Sequence, residues 1–177
     1  MAVKFFVVGG GASGKSAYAE RLARAAGTPK TYIATLQPFD DEMRAKVDKH
    51  QGDRGDDWTT VEAPLDLSGA LQAAPGNHVI LVDCLTLWLT NVMLADRDLD
   101  GDVTMLLDAL AACPNDVIVV SNEVGLGIVP DTALGRRFRD AQGALNQRIA
   151  AAAETVVTVI AGLPLALKGK LPALGPV

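Results

Sequence analysis

Short apolar runs and longer mixed stretches alternate along nearly the whole chain. The apolar runs predict strands at residues 4–8, 31–35, 58–61, 78–83, 117–121 and 156–161. Stretches rich in Ala, Leu, Glu and Arg predict helices at 16–26, 40–49, 65–73, 85–94, 103–111 and 133–153. Strand and helix in regular alternation make an α/β fold, a mostly parallel sheet with helices on both faces. Val79-Ile80-Leu81-Val82 and Val117-Ile118-Val119-Val120 carry no polar positions at all. They read as central strands covered from both sides. In the longest helix, Phe138, Leu145 and Ile149 fall on a core-facing spacing. From Gly162 onward, Pro164, Pro172 and Pro176 argue against any regular element. Residues 162–177 are therefore expected to form an irregular tail over the surface or a neighbouring subunit.

Composition narrows the class. At 177 residues the chain fits a single domain, residues 1–177, with no internal repeat. The apolar fraction is 49% with only 5% aromatic residues, so Ala, Val, Leu and Ile build the core. A net charge of −5 without a basic cluster argues against nucleic acid or an anionic membrane as partner. An anionic substrate must be met by local groups. No apolar run is long enough for a membrane span, which takes about 18 residues or more. Met1-Ala2-Val3-Lys4 leads straight into the first strand without a secretory leader, and a cytoplasmic location is expected. Cys84 and Cys113 lie beside apolar segments and read as reduced, buried side chains.

The strongest chemical signal follows the first strand. Gly9-Gly10-Gly11-Ala12-Ser13-Gly14-Lys15-Ser16 is a complete Walker A loop, with a strand before it and a helix after it that stops at Gly27. Its glycines let backbone N–H groups approach phosphates, and the positive end of the helix adds to the attraction. Lys15 would reach the β/γ-phosphates and the Ser16 hydroxyl would hold Mg2+. Nucleotide binding is the first functional expectation.

In open α/β sheets the active groups gather at the carboxyl ends of strands. Asp83 ends a buried strand, either as the carboxylate that holds Mg2+ or as the N-cap of the helix at 85–94. Asn122 and Glu123 end another strand, ahead of Gly125 and Gly127; they could bind substrate hydroxyls or a metal-bound water, or cap a turn. The run from Asp96 to Asp102 lacks the bidentate Glu of a calcium loop and reads as a solvated acidic connector. Arg136, Arg137 and Arg139 cannot all face one way, so at most two serve a phosphate site while another is solvated or pairs with Asp140.

His50 closes the helix at 40–49 and opens the polar loop Gln51-Gly52-Asp53-Arg54-Gly55. A histidine there could simply complement the helix dipole. It could equally act as a nucleophile on an α-phosphate, giving a reactive P–N bond as pyrophosphate leaves, with Lys49 and Arg54 to neutralise the charge. His78, after Pro75-Gly76-Asn77, reads as a surface turn residue.

Taken together these segments resemble the bifunctional adenosylcobinamide kinase / adenosylcobinamide-phosphate guanylyltransferase family of cobalamin biosynthesis. The likeness runs through the Walker A loop, Tyr32-Ile33-Ala34-Thr35, Asp40-Asp41-Glu42-Met43, His50, Arg54, Trp58 and Glu62. It continues through Asp83-Cys84-Leu85-Thr86, Trp88, Asn91, Asn122 to Pro130, Arg137-Phe138-Arg139-Asp140, Gly143, Asn146 and Gln147, with Asn122 to Pro130 the most specific stretch. The resemblance implies a RecA-like P-loop NTPase fold, a homotrimer, and a corrinoid substrate. It implies phosphorylation of adenosylcobinamide by ATP or GTP, then GMP transfer from GTP to the new phosphate, with His50 as the guanylylated histidine. Residues 9–16, Ala34, Thr35, Leu36, Gln51, Gly52, Asp53, Arg54, Glu62 and Asp83 would line the nucleotide site, with Asn122, Glu123, Arg137 and Arg139 toward the acceptor. This chain departs from the family where Gly11-Ala12 stands for the usual Ala-Arg, and where Leu36 replaces a small polar residue. Two other readings are a P-loop small-molecule kinase without guanylyl transfer and a nucleotide-controlled binding module; no Asn-Lys-x-Asp guanine-reading motif supports the latter.

Overall fold

The computed structural model describes residues 3–27, 29–37, 55 and 57–174. The chain runs β1 (Val3–Gly9), α1 (Lys15–Ala25), β2 (Lys30–Ala34), β3 (Trp58–Glu62), α2 (Leu67–Ala73), β4 (Val79–Asp83) and α3 (Leu85–Leu94). It continues with α4 (Leu99–Ala112), β5 (Val117–Asn122), α5 (Ala133–Ala152), β6 (Thr155–Ile160) and β7 (Leu163–Lys168). The expected helix at 40–49 lies outside the described residues. Among the described residues the strands form one sheet in the order β3-β2-β4-β5-β1-β6-β7. All neighbours are parallel except β6 and β7. The carboxyl ends of six strands therefore share one edge.

The two apolar strands behave as their pattern dictates. Val79 and Leu81 of β4, with Ile118 and Val120 of β5, pack against Tyr18, Ala19, Leu22 and Ala23 of α1. Their alternate neighbours Ile80, Val82, Val117 and Val119 pack on the opposite face against Leu67, Trp88, Leu106, Leu145 and Ile149. Successive strand side chains point to opposite faces, so an unbroken apolar run is what a two-sided burial requires. Trp88 anchors the second layer, its indole N–H donating to the Leu65 carbonyl at 3.0 Å.

Three expectations are corrected. The segment after Gly162 is not an irregular tail: Leu163–Lys168 pairs antiparallel with β6 through a turn at Ala161 and Gly162, both at positive φ (52° and 79°). Pro164 misled the reading because proline is tolerated on an outermost strand, where one side of the backbone carries no ladder. The acidic connector is shorter than expected, since α4 begins at Leu99 and buries Asp102, whose carboxylate takes two hydrogen bonds from Arg97 at 2.7 and 2.8 Å. Asp100 and Asp102 in the first turn complement the helix dipole, which explains acids inside a helix. His78 is half-buried instead of a surface turn residue, with its Nδ1 2.9 Å from the Thr31 hydroxyl.

Candidate active site at the carboxyl edge of the sheet

The loop between β1 and α1 is shaped by close approaches. A Cβ on Gly9 would stand 2.6 Å from both the Ser13 hydroxyl and the Val159 carbonyl, so no side chain fits there. Ala12 and Gly14 take positive φ values of 55° and 92°. Gly10, Gly11 and Ala12 are exposed, and no described residue crowds the first two. Gly14 sits at the N-cap of α1 without a side-chain cap, and the first turn holds no acid. The unpaired N–H groups of that turn are thus left for an anion. Lys15 is buried and its ammonium donates to the Gly10 carbonyl at 3.2 Å.

Asp83 resolves one of the open alternatives. The N-cap position of α3 belongs to Cys84, while the Asp83 side chain is hydrogen-bonded to Ser16 and accepts from the Tyr32 hydroxyl at 3.3 Å. Burial pushes this carboxyl above the ordinary carboxylate range, although Ser16, Lys15 and Tyr32 pull the other way. Glu20 adds a smaller like-charge repulsion. A desolvated carboxylate beside a serine hydroxyl is a hard oxygen pair. Among the described residues no cluster of three or more His, Cys, Asp or Glu could hold a metal by itself.

The neighbouring residues divide by role. Ala34 and Thr35 are buried, and the Thr35 hydroxyl accepts from the Cys84 N–H and donates to the Cys84 carbonyl, at 2.9 and 2.7 Å. Asn91 ties the Thr35 and Pro64 carbonyls together at 2.8 and 3.0 Å, bracing the ends of β2 and β3. Leu36 is half-buried and Glu62 is exposed at the edge strand. The Glu123 N–H donates to the Gly9 carbonyl at 3.0 Å, and its carboxylate accepts from the Gly125 N–H, closing a turn. Asn122 lies in register with Gly9. Arg136 donates to the carbonyls of Pro130 and Asp131, Arg139 pairs with Asp140 at 2.9 Å, and Arg137 is exposed. His50, Gln51, Gly52, Asp53 and Arg54 lie outside the described residues.

Sequence reading missed Gln142 and gave Asn146 only as part of the family resemblance, with no role; both are buried in contact with Ser121. The signal was present: they share the helical stripe of Phe138, Leu145 and Ile149, which was read for its apolar members alone. Also missed was an apolar cavity of about 360 Å3 lined by Thr90, Met93, Leu94, Leu134 and Phe138, with Ile128 and Val129 exposed on the preceding loop.

The sheet order and the glycine loop ahead of α1, with Lys15, Ser16 and Asp83 grouped beside it, are those of a P-loop protein of RecA-like fold. Solved structures agree on the fold: a prototypical ATPase from the type III secretion system of pathogenic bacteria has a TM-score of 0.59 at 12% identity, covering 94% of this chain and 57% of that one. The flagellar accessory protein FlaH from Methanocaldococcus jannaschii gives a TM-score of 0.50 at 15% identity, over 95% and 79% of the two chains. Residues 5–167 match the model of the family described as cobinamide kinase / cobinamide phosphate guanyltransferase, and the chain belongs to that family. The bifunctional adenosylcobalamin biosynthesis protein CobP of Pseudomonas aeruginosa is 47% identical over 167 residues, 93% of this chain and 96% of that protein. The corresponding CobU proteins of Salmonella typhimurium and Escherichia coli are 39% and 38% identical, each over 92% of this chain and 98% of theirs.

Proposed function

We propose that this enzyme phosphorylates the aminopropanol hydroxyl of adenosylcobinamide with ATP or GTP, then transfers GMP from GTP to the new phosphate. The products are adenosyl-GDP-cobinamide and pyrophosphate. The observation that carries the reading is the meeting of Lys15, Ser16 and Asp83 beside an uncapped helix terminus, in a chain of this family.

In the first step residues 9–16 bind and orient the triphosphate, and Lys15 exchanges its contact with Gly10 for phosphate oxygens. Ser16 and Asp83 would hold Mg2+, which would neutralise charge on the phosphates. The acceptor oxygen bonds the γ-phosphorus as the bridging P–O bond breaks; the nucleoside diphosphate leaves and the hydroxyl proton passes to solvent. In the second step a ring nitrogen of His50 attacks the α-phosphorus of GTP and pyrophosphate departs. A phosphate oxygen of the corrinoid then displaces the histidine, which regains its neutral form. Gln51, Gly52, Asp53, Arg54, Ala34, Thr35, Leu36 and Glu62 would surround this second nucleotide, with Thr35 acting through the backbone it braces. Asn122, Glu123, Arg137 and Arg139 would face the acceptor. The apolar cavity and the exposed Leu126, Ile128 and Val129 offer surface suited to a large macrocycle. Leu163, Leu165 and Leu167 point outward from the edge strand and would be covered in the expected homotrimer.

The test uses wild type and His50→Ala with Mg2+ and GTP labelled at the α- or the γ-phosphate. Retention of α-label alone, acid-labile and alkali-stable, in wild type but not in the variant is the expected result. Loss of all label despite proven GTP binding would leave a plain P-loop kinase or a nucleotide-controlled binding module as the better reading.

A further inference from the structure

The end of β5 rests on a buried polar cluster drawn from three elements. Ser121 and Gln142 are fully buried, and Thr86 of α3 and Asn146 of α5 nearly so. Ser121 Oγ donates to Asn146 Oδ1 at 2.7 Å, while Gln142 Nε2 donates to Ser121 Oγ at 3.0 Å and to Asn146 Oδ1 at 2.9 Å. Two further bonds lead out of the cluster to the next residue. Asn146 Nδ2 donates to the Asn122 carbonyl at 3.0 Å, and the Asn122 N–H donates to Thr86 Oγ1 at 2.8 Å. Side chains from two helices thus grip both main-chain groups of one residue.

Apolar side chains at 142 and 146 would continue the stripe of Leu145 and Ile149 and would bury no polar atoms. The cluster therefore serves placement more than stability. Strand alternation says what is placed. Ser121 faces α3 and α5, so Asn122 faces the α1 layer with Ile118 and Val120. Asp83 and Gly9 extend the strands on either side of β5 toward that same layer. Asn122 consequently stands between the carboxylate that meets Ser16 and the start of the phosphate loop. Its side-chain carbonyl oxygen is buried with no hydrogen-bond partner among the described residues. An orphan acceptor of this kind is costly unless a ligand supplies the donor.

We propose that the Asn122 amide contacts the terminal phosphate and the attacking hydroxyl, and that Thr86, Gln142 and Asn146 are positioning residues that hold it there. This rests on the kinase half of the function proposed above. The amide N–H donates to a γ-phosphate oxygen, and the orphan oxygen accepts the hydrogen bond of the incoming hydroxyl. The hydroxyl oxygen bonds the γ-phosphorus as the bridging P–O bond breaks and its electron pair leaves with the nucleoside diphosphate. A neutral amide does not keep the proton, which goes to solvent; Asn122 orients the hydroxyl and does not act as its base.

The experiment compares full-length wild type, Asn122→Ala, Asn146→Leu, Gln142→Met and the double variant Asn122→Ala/Asn146→Leu. Readouts are γ-label transfer from ATP to adenosylcobinamide as kcat and KM, equilibrium Mg-ATP affinity, and circular dichroism with thermal melting. Expected are a kcat at least about tenfold lower in every single variant, and Mg-ATP affinity within about threefold of wild type. The double variant should be no slower than Asn122→Ala, because the helix residues act through Asn122. A folded Asn146→Leu enzyme with wild-type kcat overturns the proposal, and so does a double variant whose loss is the product of the single losses. Should Asn146→Leu fail to fold, Gln142→Met alone and paired with Asn122→Ala carries the same two outcomes. If wild type binds Mg-ATP but labels no corrinoid, the kinase reading fails instead; release of γ-phosphate to water by the same variants then decides the proposal by the same ratios.

Discussion

The Gly162 backbone N–H donates to the Ser13 carbonyl at 2.8 Å, tying the turn between β6 and β7 to the phosphate loop. Gly162 has φ 79° with no described residue near its missing side chain, so among the described residues a substitution there is opposed by backbone strain alone. Gly162→Val is expected to cost roughly 1–3 kcal/mol, because a β-branched residue resists the left-handed region. If the turn braces the loop, nucleotide affinity falls with it. Calorimetric titration with Mg-ATP beside a thermal melt checks both, and unchanged affinity in a destabilised variant would uncouple turn from loop.

The same turn holds Ala161 at φ 52°, an unfavourable place for alanine. Ala161→Asn should stabilise the protein by roughly 0.5–1 kcal/mol, since Asn-Gly suits a two-residue hairpin turn with both residues at positive φ. A melting point about 1–4 °C higher follows for a chain of this size. An equal or lower melting point would contradict it.

Asp83 sets stability against function. Its raised native pKa means that the folded, metal-free protein favours the protonated carboxyl. The stabilisation is complete below the ordinary carboxylate range and is lost as pH rises through the native pKa. Asp83→Asn should therefore melt higher than wild type at neutral pH in chelator and remove that decline with pH. Phosphoryl transfer should fall about 100-fold or more, given that a metal contributes several kcal/mol and each 1.36 kcal/mol is a factor of ten. Melting curves across pH with and without Mg2+ test the first part and γ-label transfer the second.

Leu163, Leu165 and Leu167 are 73%, 59% and 62% exposed, an alternation turned outward on an edge strand. Such an edge is unusual unless something covers it. Leu165→Glu should shift sedimentation from the expected trimer to monomer while the far-ultraviolet spectrum stays native. A variant that still sediments as wild type would place the subunit contact elsewhere.

The bidentate contact between Arg97 and Asp102 makes a calcium role for this acidic stretch unnecessary. Added calcium is expected to leave the wild-type melting point unchanged, and Asp102→Ala to lower it. A calcium-dependent rise that Asp102→Ala removes would reverse this reading.

Where burial was two-sided, sequence sufficed. The runs at 79–82 and 117–120 announced central strands, and the glycine loop announced the P-loop fold, because in both cases local chemistry leaves few options. Legibility failed where a residue's meaning depended on distant neighbours. Pro164 looked like a breaker until its strand proved to be outermost, and Asp102 looked solvated until Arg97 was found against it. Gln142 was invisible, and Asn146 stood out only through the family resemblance, for a related cause: polar residues on an apolar stripe acquire significance only when Ser121 and Asn122, some twenty positions earlier, meet them. Asp83 could be a cap or a ligand on sequence alone, and only the direction of its side chain, toward Ser16 and Tyr32, set the cap reading aside.

The position of β1 bears on how this protein is made. It lies between β5 and β6, whose residues 117–122 and 155–160 are synthesised long after it. During translation the phosphate loop therefore lacks its second wall until residues 155–160 have emerged, and contacts so distant in sequence form slowly. A ribosome-bound nascent chain would gain less from cellular ATP or GTP until its hairpin is out. Nucleotide would then act as a late clasp, distinguishing finished molecules from truncated ones.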